Sequence, residues 1–377
     1  MSDFGMPYLM TCGTVENCAA LCHELKLDFV ELNISFPACQ LETLTPDRLR
    51  GLMDRYGIYF TLHMDEEANP FSFNQAVREA WLDTFRRAIV LCRAAEIPVI
   101  NMHMPKGIYV TLDGVRHFMF AQYRKDYLAQ AAALRELCER ELNGSEIKIC
   151  VENTSGYEPY EIEALELLLQ SPAFALTLDI GHNHAAGERD WPFYQAHLDR
   201  LHHMHAHDCE GKLDHLSWGH GEIDMREKLS HAVVNDARIL MEVKTETSLR
   251  ESVKRMREFL PRTVDVQERM LAGKVHVIID RPLHSPHPRH PELIYQTNYG
   301  FVKGVIAPDW SEQDVYVLGV DRPGREFTGR IIAIIHRNDD VEEKWVAAPE
   351  GMTFSVEEIV AKVHFVEQFF DSEIHLV

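Results

Sequence analysis

The sequence predicts an α/β protein: a closed eight-stranded β/α barrel (a TIM barrel), then a small β-rich domain with a C-terminal helix. Three observations predict it. Short apolar runs alternate with helix-periodic stretches through residues 1–262, close to the ~250 residues that such a barrel needs. The runs are near-continuously apolar, as parallel strands covered on both faces must be. Several of them also end on a polar donor: Leu62 leads to His63, Met102 to His103, Val151 to Glu152, Leu178 to Asp179, Met204 to His205 and Met241 to Glu242. Successive strands can aim such residues at one point only if they lie side by side and parallel, which is the C-terminal face of a barrel.

Taken in order, strands are predicted over 8–12, 29–34, 59–65, 98–104, 147–154, 175–180, 201–208 and 238–244. The helices between and after them are predicted over 16–25, 46–56, 74–95, 118–142, 160–169, 191–198, 225–235 and 249–260. The helix over 74–95 carries Trp81, Phe85, Ile89 and Cys92 on one face. Thr45-Pro46 and Asp190-Trp191-Pro192 are helix-start signals. The texture changes after Pro261-Arg262. Residues 263–273 read as a linker, and residues 274–377 as a second domain, with strands over 275–279, 300–306, 315–320 and 329–336 and a helix over 355–370.

The net charge of −21 argues against a protein that grips nucleic acid through its phosphates, which needs a basic face. A small-molecule substrate is expected instead. The eight cysteines contain no CxxC pair and several sit in apolar periodic runs; they read as reduced, structural thiols of a cytoplasmic protein. The N-terminal residues lack the pattern of a signal peptide, and no apolar run is long enough to span a membrane. A homo-oligomer is expected.

His63, His103, Glu152, Asp179, His182, His205 and Glu242 are all nitrogen or oxygen donors. Such a set without thiolates suits zinc, manganese, cobalt or magnesium. In each strand the donor occupies a slot where an apolar residue would pack better. That regularity points to a metal site. Glu31 on the second strand and Lys212 are candidate substrate contacts.

Residues 1–262 resemble the xylose-isomerase-like superfamily, which holds sugar and sugar-phosphate isomerases and epimerases together with endonuclease IV-type phosphodiesterases. The resemblance is carried by Leu62-His63-Met64, Asn101-Met102-His103, Val151-Glu152-Asn153-Thr154, Leu178-Asp179-Ile180-Gly181-His182, His205-Ala206-His207-Asp208, the stretch from Asp214 to Gly221, and Met241-Glu242-Val243. The epimerase branch implies one divalent metal (zinc, manganese or cobalt) on Glu152, Asp179, His205 and Glu242. It also implies a metal-bound enediolate, Glu152 and Glu242 as acid and base, and His182 on a substrate oxygen. His207 joins His182, Lys212 and Glu31 among the candidate substrate-binding residues. The substrate implied is a sugar, polyol or sugar phosphate. The endonuclease branch implies further zincs on His63, His103, His182 and an Asp-x-His pair, and hence phosphoester hydrolysis. Here His215 keeps the family spacing to Gly219, the aspartate is displaced by one residue to Asp214, and His220 stands where the family has glutamate. A third reading is a non-catalytic scaffold or sensor.

In the second domain, the stretch from Ile294 to Phe301, the stretch from Asp309 to Asp314, and Glu342-Glu343-Lys344 resemble family I inorganic pyrophosphatase. That resemblance implies a small OB-like barrel with a C-terminal helix, magnesium, and Tyr299, Asp309, Asp314, Glu342 and Lys344 as site residues. Ser311 replaces the central aspartate of the family's cluster and Glu342 replaces another.

Overall fold

The computed structural model describes residues 3–259, 274–287, 290–307, 312–337 and 343–377. They fall into two compact units, Met1–Lys254 and Arg255–Val377, described separately below. No helix among the described residues is long and apolar enough to cross a membrane.

In the first unit the strands are β1 (Phe4–Pro7), β2 (Phe29–Asn33), β3 (Tyr59–His63) and β4 (Val99–His103), a hairpin of β5 (Tyr109–Leu112) and β6 (Val115–Phe118), then β7 (Lys148–Glu152), β8 (Phe174–Asp179) and β9 (Leu201–His205), a second hairpin of β10 (Asp208–Glu210) and β11 (Leu213–Leu216), and β12 (Arg238–Leu240). Leaving out the two hairpins, eight parallel strands close into a barrel in chain order, with β12 pairing back to β1. Phe29, Phe60 and Phe174 are wholly buried, and burying such a side chain contributes about 1.5–3 kcal/mol. Closure at the β1–β2 seam needs Gly5, because a Cβ there would lie 2.3 Å from the Phe29 ring.

The helices form where caps and periodicity agree. Helix Pro46–Tyr56 is capped by Thr45, which accepts from the Arg48 N–H, starts with proline, and stops at Gly57, whose φ of +64° few other residues adopt readily. Helix Gln75–Ala95 is capped by Asn74 and buries Phe85, Ile89 and Cys92 on one face.

Four local expectations are corrected. The first strand lies at Phe4–Pro7, while Met10–Cys12 is a 3-10 turn with Met10 73% exposed; the earlier segment is the one in register with β2. Of the long helix expected over 118–142, Phe118 ends strand β6, Met119–Gln122 is a separate short helix, and only Arg124–Leu142 is one continuous helix. Asp113 and Gly114 both take positive φ, the two-residue turn for which Asp-Gly is suited. The strands expected over 201–208 and 238–244 end at His205 and Leu240, where their shared ladder ends. The helix expected over 191–198 is short, Trp191–Ala196, and is preceded by a helical turn, Ile180–Ala185.

The described residues of the second unit form six strands rather than the expected four: β13 (Lys274–Arg281), β14 (Asn298–Ile306), β15 (Glu312–Val317), β16 (Glu326–Arg337), β17 (Lys344–Ala348) and β18 (Ser372–Leu376). The first five close a circuit in the order β13-β14-β15-β17-β16 and back to β13, with β15 and β17 parallel; β18 adds to β16 outside it. Val275, Val315 and Trp345 belong to one apolar cluster. Ile359 and Val363 of helix Val356–Glu367 pack with Tyr299 and Tyr316 in another. Ser355 and Glu358 form the capping box that starts this helix. The linker expected over 263–273 lies outside the described residues.

Candidate metal centre of the barrel

Strand register brings the donors together. His103 pairs across β4 and β7 with Glu152, and Asp179 pairs across β8 and β9 with His205. Glu242 follows β12 and stays tied to the β9 side through its backbone N–H, which donates to the Ala206 carbonyl. Glu152, Asp179, His205 and Glu242 each offer one ligand atom, and these atoms all lie within 4.8 Å of one another. His205 Nδ1 is 3.3 Å from Glu152 Oε1 and 3.1 Å from Glu242 Oε2.

These atoms are buried, yet Glu152 Oε1, Glu242 Oε2 and His205 Nδ1 have no hydrogen-bond partner. Buried polar groups left in that state cost on the order of 1–3 kcal/mol each, more when charged. A divalent cation fits the arrangement: four converging nitrogen and oxygen donors, three of them carboxylates, with unused lone pairs at the centre. Burial by itself would push both glutamates up, but His205 together with His103 at Glu152, and with His215 and Lys244 at Glu242, outweighs it and holds the two carboxyls well below the usual range.

Histidines surround this core. His63 Nε2 is 3.3 Å from Glu152 Oε2 and His103 Nε2 is 3.5 Å from Glu152 Oε1. Burial disfavours a charged His63 ring, but the Glu152 carboxylate wins and pushes it up to about 9. His182 Nδ1 is 3.2 Å from Asp179 Oδ2, and His215 Nε2 is 3.6 Å from Glu242 Oε1. Displaced or not, Asp214 reaches this group: its Oδ1 is 3.1 Å from His215 Nδ1 and its Oδ2 is 4.0 Å from His182 Nε2. His215 takes a φ of +55°, a strained conformation for this residue type, between the aspartate and the rest of the loop.

The expected substrate contacts divide. A cavity of about 160 Å³ borders the centre and is lined by Tyr8, Asn33, Phe36, His63, Glu242 and Lys244, among others. His182 is partly exposed beside the donors. Lys212 is exposed in the β10–β11 turn and is not part of that cavity wall. His207 is wholly buried, with Nε2 3.1 Å from Asp179 Oδ1. Glu31 borders the cavity, but both its oxygens are committed. Oε1 lies 2.9 Å from His205 Nε2, and Oε2 accepts from Thr61 Oγ1 and lies 3.0 Å from His203 Nε2. A carboxylate in that place fixes the orientation of the His205 imidazole.

Sequence reasoning missed three residues. Asn101 donates its side-chain N–H to Glu152 Oε2 and accepts from Thr177 Oγ1 at 2.6 Å; it lies inside the Asn101-Met102-His103 motif but carried no role. His203 occupies an inward position of β9. Lys244 Nζ lies 3.4 Å from Glu242 Oε1 and lines the cavity; its place two residues after a donor was its only sequence signal.

In the second unit, Tyr299 OH and Lys344 Nζ both donate to Asp314 Oδ2, each at 2.6 Å. Asp309 and Glu342 lie outside the described residues.

A parallel barrel with a ring of metal-type donors at the carboxyl ends of its strands is the class of protein that fold and site define. Residues 19–261 match the family described as xylose isomerase-like TIM barrel, and the chain belongs to that family. Among solved structures it is similar to a D-tagatose 3-epimerase-like protein (24% identity, TM-score 0.56, covering 71% of this chain and 99% of that one). It is also similar to 3-keto-D-glucoside 4-epimerase from E. coli in its apo form (11%, 0.54, 68% and 98%). A third is the IolI protein with a bound zinc atom (14%, 0.53, 68% and 96%). At these identities the likeness is one of fold. No curated protein matches the chain. The family match ends at residue 261, before β13.

Proposed function

We propose that the barrel is a divalent-metal-dependent isomerase or epimerase of a sugar, polyol or sugar phosphate. The observation that carries this reading is the convergence of donor atoms from Glu152, Asp179, His205 and Glu242, with Glu152 Oε1, His205 Nδ1 and Glu242 Oε2 left without a hydrogen-bond partner. Epimerases among the similar folds support it, as does a zinc-bound one. A zinc, manganese or cobalt ion held by these four residues would polarise a carbonyl and its neighbouring hydroxyl, acidifying the C–H between them. The chain's own residues would do the rest. Glu242 borders the cavity and is the carboxylate placed to take a proton from that side. Glu152, 1% exposed and aligned by Asn101, would hold or return the proton from within the donor ring. His182 would bind a substrate oxygen, and the Tyr8 and Phe36 rings, 5.1 Å apart, would wall the pocket against water.

Glu152→Gln tests the reading. It is expected to lower epimerisation by about 10³-fold while the protein stays folded; turnover at the wild-type rate would sink the acid–base role.

One observation favours a second reading. Asp214 reaches both His182 and His215, and His63 and His103 flank Glu152, so donors for further metal ions exist. A multi-zinc phosphoesterase would use them. Elemental analysis separates the two: one metal per chain supports the isomerase, three zincs support hydrolysis, and none supports a scaffold.

The domain division at residues 262 and 274 belongs to the same proposal, as do a cytoplasmic location and a homo-oligomeric state. We further infer that the second unit is OB-like and related to family I pyrophosphatase. Its five-stranded circuit with parallel β15 and β17 supports the first part. The meeting of Tyr299, Asp314 and Lys344 supports the second. Pyrophosphate hydrolysis with magnesium is the assay.

A further inference from the structure

His182, His207 and His215 lie close enough together to suggest a metal site of three imidazoles. The hydrogen bonds of His207 argue otherwise. The backbone N–H of His215 points at His207 Nδ1 from 2.8 Å. A backbone N–H can only donate, so Nδ1 must present its lone pair. The one competing contact, Nδ1 to the Asp208 carbonyl, is 3.4 Å and would require a proton on Nδ1; the shorter bond decides. The proton of the neutral ring then sits on Nε2, which faces the Asp179 carboxylate at 3.1 and 3.2 Å from its two oxygens. With Nδ1 filled by a donor and Nε2 protonated, neither nitrogen is left for a metal.

We propose that His207 is a positioning strut. In its Nε2–H form it orients the Asp179 carboxylate from behind and docks the β10–β11 hairpin, which carries Asp214 and His215, onto the same point. Two further features fit this role. The His207 and His215 rings stack at 4.1 Å with planes 5° apart, so the hairpin is held by ring contact as well as by the hydrogen bond. Gly181 clears the space for the ring. A Cβ at that position would meet His207 Cε1 at 2.0 Å, although Gly181 lies in a helical turn where its φ demands no glycine. The strut couples two segments that supply donors from different places in the chain. Loss of it frees the Asp179 carboxylate to rotate and releases the hairpin together. The inference rests on the functional reading only in taking Asp179 as a metal ligand.

The test has two arms, neither of which reads turnover. In 15N-labelled wild-type protein, NMR of the imidazole nitrogens is expected to show His207 as the Nε2–H tautomer; an Nδ1–H tautomer overturns the proposal, and so does direct ligation of His207 when cobalt(II) is added. In the second arm, cobalt(II) affinity is followed by its visible absorption. Loss of an outer partner of a metal ligand weakens binding about 10–100-fold, and His207→Leu is expected to do so. Gly181→Ala is expected to do the same by displacing the ring. His207→Gln keeps an N–H donor near Asp179 and is expected to recover most of the affinity. Affinity within twofold of wild type in both His207→Leu and Gly181→Ala overturns the proposal, as does a His207→Gln variant as weak as His207→Leu. If His207→Leu does not fold, the tautomer, Gly181→Ala and His207→Gln still decide. Absence of sugar epimerisation in a protein that passes both arms would sink the isomerase reading and leave the strut standing.

Discussion

Two carboxylate clusters in this molecule look alike in sequence and differ in charge balance. In the barrel, three acids and a histidine converge and several of their buried atoms find no hydrogen-bond partner. In the second unit, the Asp314 carboxylate is already met by the buried Lys344 ammonium and the Tyr299 hydroxyl on one oxygen. The clusters of metal-type donors found among the described residues all lie in the first unit. The lesson is that a carboxylate's worth as a cation ligand depends on what else already compensates it. Three carboxylates met chiefly by histidines keep an electrostatic demand for a cation, while one met by a buried lysine has that demand answered internally.

The comparison can be broken at its strongest point first. Lys344→Met would leave Asp314 partly buried and short of its cation. Removing one partner of a buried pair costs about 3 kcal/mol, read as a lower denaturant midpoint for the second unit, while metal affinity of the barrel stays unchanged. A negligible loss would mean that Asp314 is as open to a cation as the barrel acids. Next comes metal addition. Zinc, manganese or cobalt at about 100 times its dissociation constant is expected to stabilise the barrel by about 2.7 kcal/mol, and a chelator to reverse this. An equal shift in the second unit's transition would erase the distinction drawn here.

The smallest effect concerns a third case, a buried acid with neither a metal ring nor a lysine in contact. Glu161 caps helix Pro159–Leu168 and is 2% exposed. Burial pushes its carboxyl up to about 7, against the pull of the Glu158 backbone and of Lys106. Its proton is therefore held more tightly in the folded chain than in the unfolded one. The stability this provides is fully present below about pH 4.5 and is lost as pH rises through 7. Glu161→Gln is expected to flatten that decline by about 2 kcal/mol, measured as urea midpoints from pH 5 to 8. An unaltered pH dependence would show that Glu161 titrates like an exposed acid.

Much of this was legible in the residue order. Donors at strand ends are a one-dimensional rule, because every parallel strand of a barrel delivers its last residue to the same rim. His63, His103, Glu152, Asp179, His205 and Glu242 therefore declared themselves together with the barrel. The Asp113-Gly114 hairpin lay in a stretch to which no element was assigned, because two four-residue strands are too short for their period to stand out. Glu31, His207 and Lys212 were read by type alone. A glutamate on an inner strand, a histidine in a donor-rich loop and a lysine on that loop all resemble substrate contacts until their neighbours are known.

The sequence by itself determined the fold class, the donor ring and the helix boundaries set by Thr45, Asn74 and Ser355, because each depends on local pattern or on strand order. Only the tertiary structure decided what each donor's second face touches. Glu31 meets a histidine 172 residues away, and His207 meets Asp179 across 28 residues while sitting in the space left by Gly181. Such pairings follow from strand register and from the gaps between packed elements. Those are properties of segments brought together by folding, and no single segment carries them.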